Sequence, residues 1–346
     1  MSDEPAGSSG NRRKPVVFGC AGETPSPAER EFFAAVQPLG FILFRRNCRE
    51  PDQVRDLVAA LRDCVGREDA PVLIDQEGGR VARLQPPHWR RYPSAAEIAA
   101  LPDPLAEEAA RLGARLIADD LGRLGITVDC LPVLDLPAAG ADPVIGDRAY
   151  GGDPDRVARL GRAVCDGLIA GGVLPVLKHI PGHGRAQIDS HLALPGVAAS
   201  HDELACTDFA PFRALAAMPW AMTAHIVYMA IDPTAPATQS KRMIGDIIRG
   251  EIGFDGVLIS DDLSMHALGD ALPERAGRAL AAGCDLVLHC NGRPDEMAAI
   301  VETMPPISSA TATRLARAES VRRPPGEFDR GAVEKRFDLL MAAVRR

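Results

Sequence analysis

Short apolar runs alternate with longer amphipathic stretches along the whole chain. Runs at residues 15–20, 40–44, 71–75, 127–134, 174–180, 221–228, 257–261 and 285–290 read as strands. Most are continuously apolar rather than alternating, the pattern of parallel strands covered on both faces. Helix signals lie between them. Ser26-Pro27 sets a capping residue before a proline at the first helical position, and Asp153-Pro154 repeats the device. Ser200-His201-Asp202-Glu203 predicts a capping box that opens a helix ending before Pro219. The Ala/Leu/Arg-rich stretch 105–124 stops at Gly125, and 271–283 behaves likewise, with Gly283 just past its helical part.

Eight strand–helix repeats predict an α/β fold, a single-domain (β/α)8 TIM barrel, because closure removes the exposed edges of an open sheet. A doubly wound open sheet is the alternative. No Gly-x-Gly-x-x-Gly follows an early strand, which weakens its nucleotide-binding version. Residues 1–14 are polar and rich in Ser, Gly and charge and read as a disordered leader; 15–305 form the catalytic barrel. Residues 306–346 carry two helical stretches, 308–317 and 330–345, joined by Arg322-Arg323-Pro324-Pro325-Gly326, and read as a tail packed on the barrel.

Composition narrows the function classes. The net charge of −8 disfavours nucleic acid and anionic membrane as partners, since phosphate binding needs a basic surface. No run is long enough to span a bilayer, and the start lacks the apolar core of a secretory signal, so a cytoplasmic monomer is expected. The eight cysteines include no Cys-x-x-Cys pair and read as reduced core thiols.

Reactive side chains gather just after predicted strands. Asp75 ends the third, Lys178 and His179 end the fifth, His225 lies in the sixth, and Asp261-Asp262 ends the seventh. In a barrel such ends converge on one face, and several charges there imply a mutually satisfied polar cleft. In Asp75-Gln76-Glu77-Gly78-Gly79-Arg80-Val81-Ala82-Arg83, a strand-end carboxylate can accept sugar hydroxyls while the Gly pair turns the chain. An Asp–Arg pair that only orders a loop is the alternative. Lys178-His179-Ile180-Pro181-Gly182-His183-Gly184 precedes Asp189-Ser190-His191; Asp189 and His191, two apart, share a side if extended. The carboxylate could then fix the imidazole's tautomer and raise its pKa, giving a group able to deliver and retrieve a proton.

Two further segments complete the set. In Gly253-Phe254-Asp255-Gly256-Val257-Leu258-Ile259-Ser260-Asp261-Asp262, an apolar strand delivers carboxylates to the barrel mouth. Chemistry alone leaves nucleophile, metal ligand and helix cap open, and does not choose between Asp261 and Asp262. Arg148, in Ile145-Gly146-Asp147-Arg148, offers a guanidinium for hydroxyls or a structural ion pair.

Together these four segments resemble the cytoplasmic β-N-acetylglucosaminidases of glycoside hydrolase family 3, single-domain bacterial enzymes of peptidoglycan recycling; the match runs from about Val16 to Arg293. The resemblance implies Asp261 as nucleophile, His191 as acid/base and Asp189 as its orienting partner. It implies Asp75, Arg83, Arg148, Lys178 and His179 as binders of the terminal sugar, with no cofactor, no metal, and a peptidoglycan-derived amino sugar as substrate. Ile180 stands where many relatives carry an aromatic residue, which bears on substrate preference. Rival readings are a phosphorylase of the same family, a metal-dependent barrel hydrolase using His179, His183, His191, His225 and Asp261, and a non-catalytic sugar-binding barrel.

Overall fold

The computed structural model describes residues 12–186, 194–265 and 267–344. The first half runs β1 (Lys14–Gly19), α1 (Pro27–Val36), β2 (Pro38–Leu43), α2 (Pro51–Val65), β3 (Val72–Ile74), α3 (Ala95–Ala99), α4 (Asp103–Gly122) and β4 (Val128–Asp129). Next come α5 (Pro154–Ala170), β5 (Leu174–Ile180), β6 (Gly196–Val197), α6 (His201–Cys206), α7 (Phe209–Ala214), β7 (Trp220–Thr223) and β8 (Val227–Tyr228). A π-helix (Met243–Glu251), β9 (Val257–Asp262), α8 (Leu272–Ala282), β10 (Leu286–His289), α9 (Pro294–Val301), α10 (Ser309–Val321) and α11 (Arg330–Ala342) complete the chain.

Eight strands close a parallel barrel in the order β1-β10-β9-β7-β5-β4-β3-β2. Alternation explains the two apolar layers. Val17, Leu73, Val176 and Ile259 fill the barrel interior, while their neighbours Val16, Phe18, Val72, Ile74, Leu177 and Leu258 pack outward under the helices. Both faces are therefore dry, which is why the strands read as unbroken apolar runs.

Capping follows the sequence closely. Ser26 accepts from the Glu29 N–H while Glu29 accepts from the Ser26 N–H, and Asp153 caps α5. Three expectations are corrected. The fourth strand, expected over 127–134, pairs regularly only at Val128–Asp129, because Pro132 has no N–H to give the ladder. The sixth, expected over 221–228, splits: β7 ends at Thr223, and Val227–Tyr228 leave the barrel wall to pair with β6. The single helix expected from Ser200 toward Pro219 breaks into α6 and α7. There Pro211 cannot donate to the Thr207 carbonyl, and the Thr207 hydroxyl instead donates to the Glu203 carbonyl at 2.6 Å.

The closing helices hold the barrel from beneath and from the side. Thr311 and Arg314 of α10 donate to Asp285 at 3.0 and 3.1 Å, and Ala318 reaches the inner apolar layer. Phe337 of α11 is buried against Gly113 of α4, where an added Cβ would stand 2.9 Å from the ring. No described helix is long and apolar enough to cross a membrane.

Candidate active site

The C-terminal ends of β3, β5 and β9 and the segments after β3 and β4 bring the site together. Asp75 follows β3, and its carboxylate takes Lys178 Nζ at 2.8 Å on one oxygen and Arg83 Nη2 at 2.9 Å on the other. Glu77 takes Lys178 Nζ at 2.6 Å and a bidentate fork from Arg148, at 2.8 and 2.9 Å. Lys178, almost fully buried, is thus shared by two carboxylates in a cluster of two anions and three cations. Burial alone would raise the Asp75 pKa, but the Lys178 ammonium and the Arg83 guanidinium pull it well below the carboxylate range. Glu77 is lowered in the same way by Lys178 and Arg148. Against its own burial, Lys178 is held cationic by these two anions.

Local backbone chemistry builds this cluster. Gly78 has φ +96°, and a Cβ there would stand 2.2 Å from the Pro93 carbonyl oxygen, so the turn after Glu77 requires glycine. The Gln76 side chain accepts from the Arg83 and Leu84 N–H groups at 2.9 and 3.0 Å, folding the segment back so that Arg83 faces Asp75. Beneath it lies Asp129, fully buried, whose Oδ1 accepts from the Gln76 N–H at 2.9 Å. Its Oδ2 finds no hydrogen-bond partner among the described residues, and burial pushes its pKa far up, toward the neutral acid.

Across the mouth, the β5 register against β7 shifts between Lys178 and Ile180, and the Lys178–His179 peptide is cis. Lys178 and His179 both reach the site here, although strict alternation would send them to opposite faces. His179 lies between two carboxylates: Nδ1 is 2.7 Å from Asp135 Oδ2, and Nε2 is 4.0 Å from Asp261 Oδ2. Asp135 is fully buried and also accepts the His179 and His183 backbone N–H groups, at 3.1 and 2.6 Å. Burial opposes its ionisation, yet His179, His183 and these N–H donors lower its pKa to about 2. The loop continues through Gly184, where a Cβ would stand 1.9 Å from the Leu136 carbonyl oxygen.

The two aspartates ending β9 separate clearly. Asp262 accepts from Ser264 N–H at 3.0 Å, Ser264 Oγ at 2.6 Å and Cys290 N–H at 3.2 Å, which makes it the organiser of the following turn. Asp261 accepts from the Asp262 N–H at 2.8 Å, and its Oδ2 lies 4.0 Å from His179 Nε2. His225, fully buried, lies 2.7 Å from Thr238 Oγ1 through Nδ1 and 3.1 Å from the Asp262 carbonyl through Nε2. Burial favours its neutral form, and burial together with His179 lowers the His183 pKa to about 4. The sequence-predicted residues Asp75, Arg83, Arg148, Lys178, His179 and Asp261 meet around one mouth; Asp189 and His191 lie outside the described residues. Sequence analysis missed Asp135, one position past its fourth strand, and the part Glu77 plays in the charge cluster. Among the described residues no group of three or more His, Cys, Asp or Glu side chains is arranged to hold a metal ion.

Residues 17–321 match the glycosyl hydrolase family 3 N-terminal domain. The chain belongs to glycoside hydrolase family 3. Similarity extends to named members. A β-hexosaminidase of Alkalilimnicola ehrlichii is 39% identical over 310 residues, covering 88% of each chain. One of Pseudomonas aeruginosa is 45% identical over 258 residues, covering 73% of this chain and 75% of its own. The crystal structure of NagZ from Neisseria gonorrhoeae in complex with N-trifluoroacetyl-D-glucosamine superposes with a TM-score of 0.83. It is 35% identical, with 96% of this chain and 97% of that chain covered. As a family 3 member the chain is a glycoside hydrolase, and the matches span between 75% and 97% of these relatives' own length.

Proposed function

We propose that this family 3 enzyme, a β-N-acetylhexosaminidase, removes terminal N-acetylglucosamine from peptidoglycan fragments with retention of configuration. The observation that carries the mechanism is the divergence of the two β9 carboxylates: Asp262 is engaged in ordering a turn, while Asp261 is presented at the mouth beside His179. Asp75, Lys178, Arg83 and Arg148 offer acceptors and donors for the hydroxyls of one sugar ring. In the first step an Asp261 oxygen bonds to the anomeric carbon as the bond to the leaving oxygen breaks, and that oxygen takes a proton from His191. In the second, His191 takes a proton from water, whose oxygen attacks the anomeric carbon and expels Asp261. A histidine in place of a second carboxylate means that the usual spacing of two carboxyls, about 5–5.5 Å in retaining enzymes, does not apply.

The relatives named β-hexosaminidases and the bound N-trifluoroacetyl-D-glucosamine of the Neisseria gonorrhoeae protein support an amino sugar in this site. Paired chromogenic N-acetylglucosaminide and glucoside substrates test the proposal, with wild type and Asp261→Ala. Wild type should cleave the first and spare the second, and the variant should lose turnover. A variant that keeps wild-type turnover removes Asp261 from the mechanism. A product that becomes a sugar 1-phosphate when phosphate is added would make the enzyme a phosphorylase.

A further inference from the structure

Helix α11 lies beyond residue 321, where the match to the family domain ends, yet its contacts lead back to the sugar site. Arg330 is its first residue, and a cation there opposes the helix dipole. Asp119 and Asp120, in the last turn of α4, oppose the dipole of that helix in turn. The two placements answer each other: Arg330 Nη1 donates to Asp119 Oδ2 at 2.6 Å and to Asp120 Oδ1 at 2.7 Å. Despite partial burial, these carboxylates hold the guanidinium cationic. Asp120 is itself buried, and its other oxygen accepts from the Tyr92 hydroxyl at 2.7 Å. Burial, and then Asp120, push the Tyr92 phenol far above its ordinary value, so it stays a neutral donor.

Tyr92 in turn touches the active-site segment. Its carbonyl takes the Gly79 N–H at 3.0 Å, in the turn that follows Glu77. A second grip lies alongside. The Arg90 guanidinium stands 5.5 Å from the Tyr92 ring and 5.3 Å from the Phe337 ring of α11, and it pairs with Asp338 on the same helix. The turn packs closely on this support: a Cβ on Gly78 would stand 2.2 Å from the Pro93 carbonyl oxygen, and one on Gly79 2.8 Å from the Ser94 Cβ. A shift of residues 92–94 is therefore passed to the turn.

We infer that α11 is a positioning element for the sugar site: through Arg330, Asp120 and Tyr92 it braces the turn after Glu77, and so sets where Glu77 holds Lys178 and Arg148. The inference rests on Asp75, Lys178 and Arg148 binding the hydroxyls of the sugar. Glu77 meets Lys178 Nζ at 2.6 Å and the Arg148 fork at 2.8 and 2.9 Å, so both cations follow it when it moves. A misplacement of about 1 Å, caused from a distance, can cost up to about 10²-fold.

Two substitutions cut the polar route at its ends. Arg330→Met removes the cation on α11, and Tyr92→Phe removes one oxygen while leaving the ring for Arg90. Each should raise KM for a chromogenic N-acetylglucosaminide about tenfold with kcat within about threefold, the pattern of lost ground-state binding. The two together should raise it no further than the larger single effect, since they break one route. Amide hydrogen exchange of the full-length protein reads the turn itself, and the Gly79 N–H should exchange about tenfold faster in both variants. Arg314→Met, which unties α10 from Asp285, is the control: it should lower the thermal midpoint and leave KM and Gly79 exchange as in wild type.

An unchanged KM or an unchanged Gly79 exchange rate in Arg330→Met overturns the inference. So does a double variant whose effects multiply, or a control that raises KM as much as the test variants do. If Arg330→Met does not fold, Tyr92→Phe with wild-type KM or wild-type exchange overturns it alone. Wild-type protein that hydrolyses no N-acetylglucosaminide overturns the proposed function instead, and the exchange rates still decide whether α11 braces the turn.

Discussion

Replacing Lys178 with methionine removes one buried ammonium from between two carboxylates while keeping most of the side chain's volume. In the native protein the Nζ lies 2.8 Å from Asp75 and 2.6 Å from Glu77, with only 2% of the lysine side chain exposed. At an effective dielectric of about 20, each pair gains roughly 6 kcal/mol of gross attraction. Desolvating the ammonium and the Asp75–Glu77 repulsion take back much of it, so the cost of breaking the group should be ~3–5 kcal/mol. Arg83 and Arg148 still cover one carboxylate each in the variant, which places the loss at the lower end of that span. Urea unfolding at neutral pH measures it: the midpoint should fall at constant m-value. A variant that loses less than about 1 kcal/mol would refute the idea that Lys178 holds the two carboxylates together.

Two other outcomes follow from buried groups. His183 has a folded pKa near 4 against 6.5 unfolded, so its contribution is complete above 6.5 and is lost as pH falls through the folded value. The total is about 3 kcal/mol, read as urea midpoints stepping down from pH 7 to pH 4; a His183→Gln protein with the same slope would contradict it. Phe337→Ala empties a buried ring site between α11 and Gly113 of α4 and should cost ~3–5 kcal/mol in the same assay; a loss below 1 kcal/mol would show that α11 is loosely held.

The barrel is legible in the chain because its strands are buried on both faces. Residues 174–177 form one apolar run inside the strand 174–180, and parallel pairing demands such a run. The fourth and sixth strands were overrun because apolarity does not report where pairing stops. Pro132 interrupts the first by lacking a donor, although Val133 and Leu134 meet β5 again, and the second leaves the barrel where Thr223 and His225 turn to Thr238. Six of the predicted site residues meet at the mouth for a reason visible in the sequence: polar side chains at strand ends cannot remain buried without one another. Choosing between Asp261 and Asp262 required partners that lie elsewhere in the chain, Ser264 and Cys290 for one and His179 for the other. Counting by twos from the inward-facing Val257 and Ile259 would have pointed to Asp261. Asp135 went unnoticed because its partners are mostly backbone N–H groups, and those carry no sequence signature.

The most direct test of a transient Asp261–sugar bond is ¹H NMR of the sugar released from a β-N-acetylglucosaminide, recorded before mutarotation. Double displacement predicts that the β-anomer appears first and the α-anomer grows from it. An α-anomer released first would mean that water attacks directly and that Asp261 never bonds to the sugar.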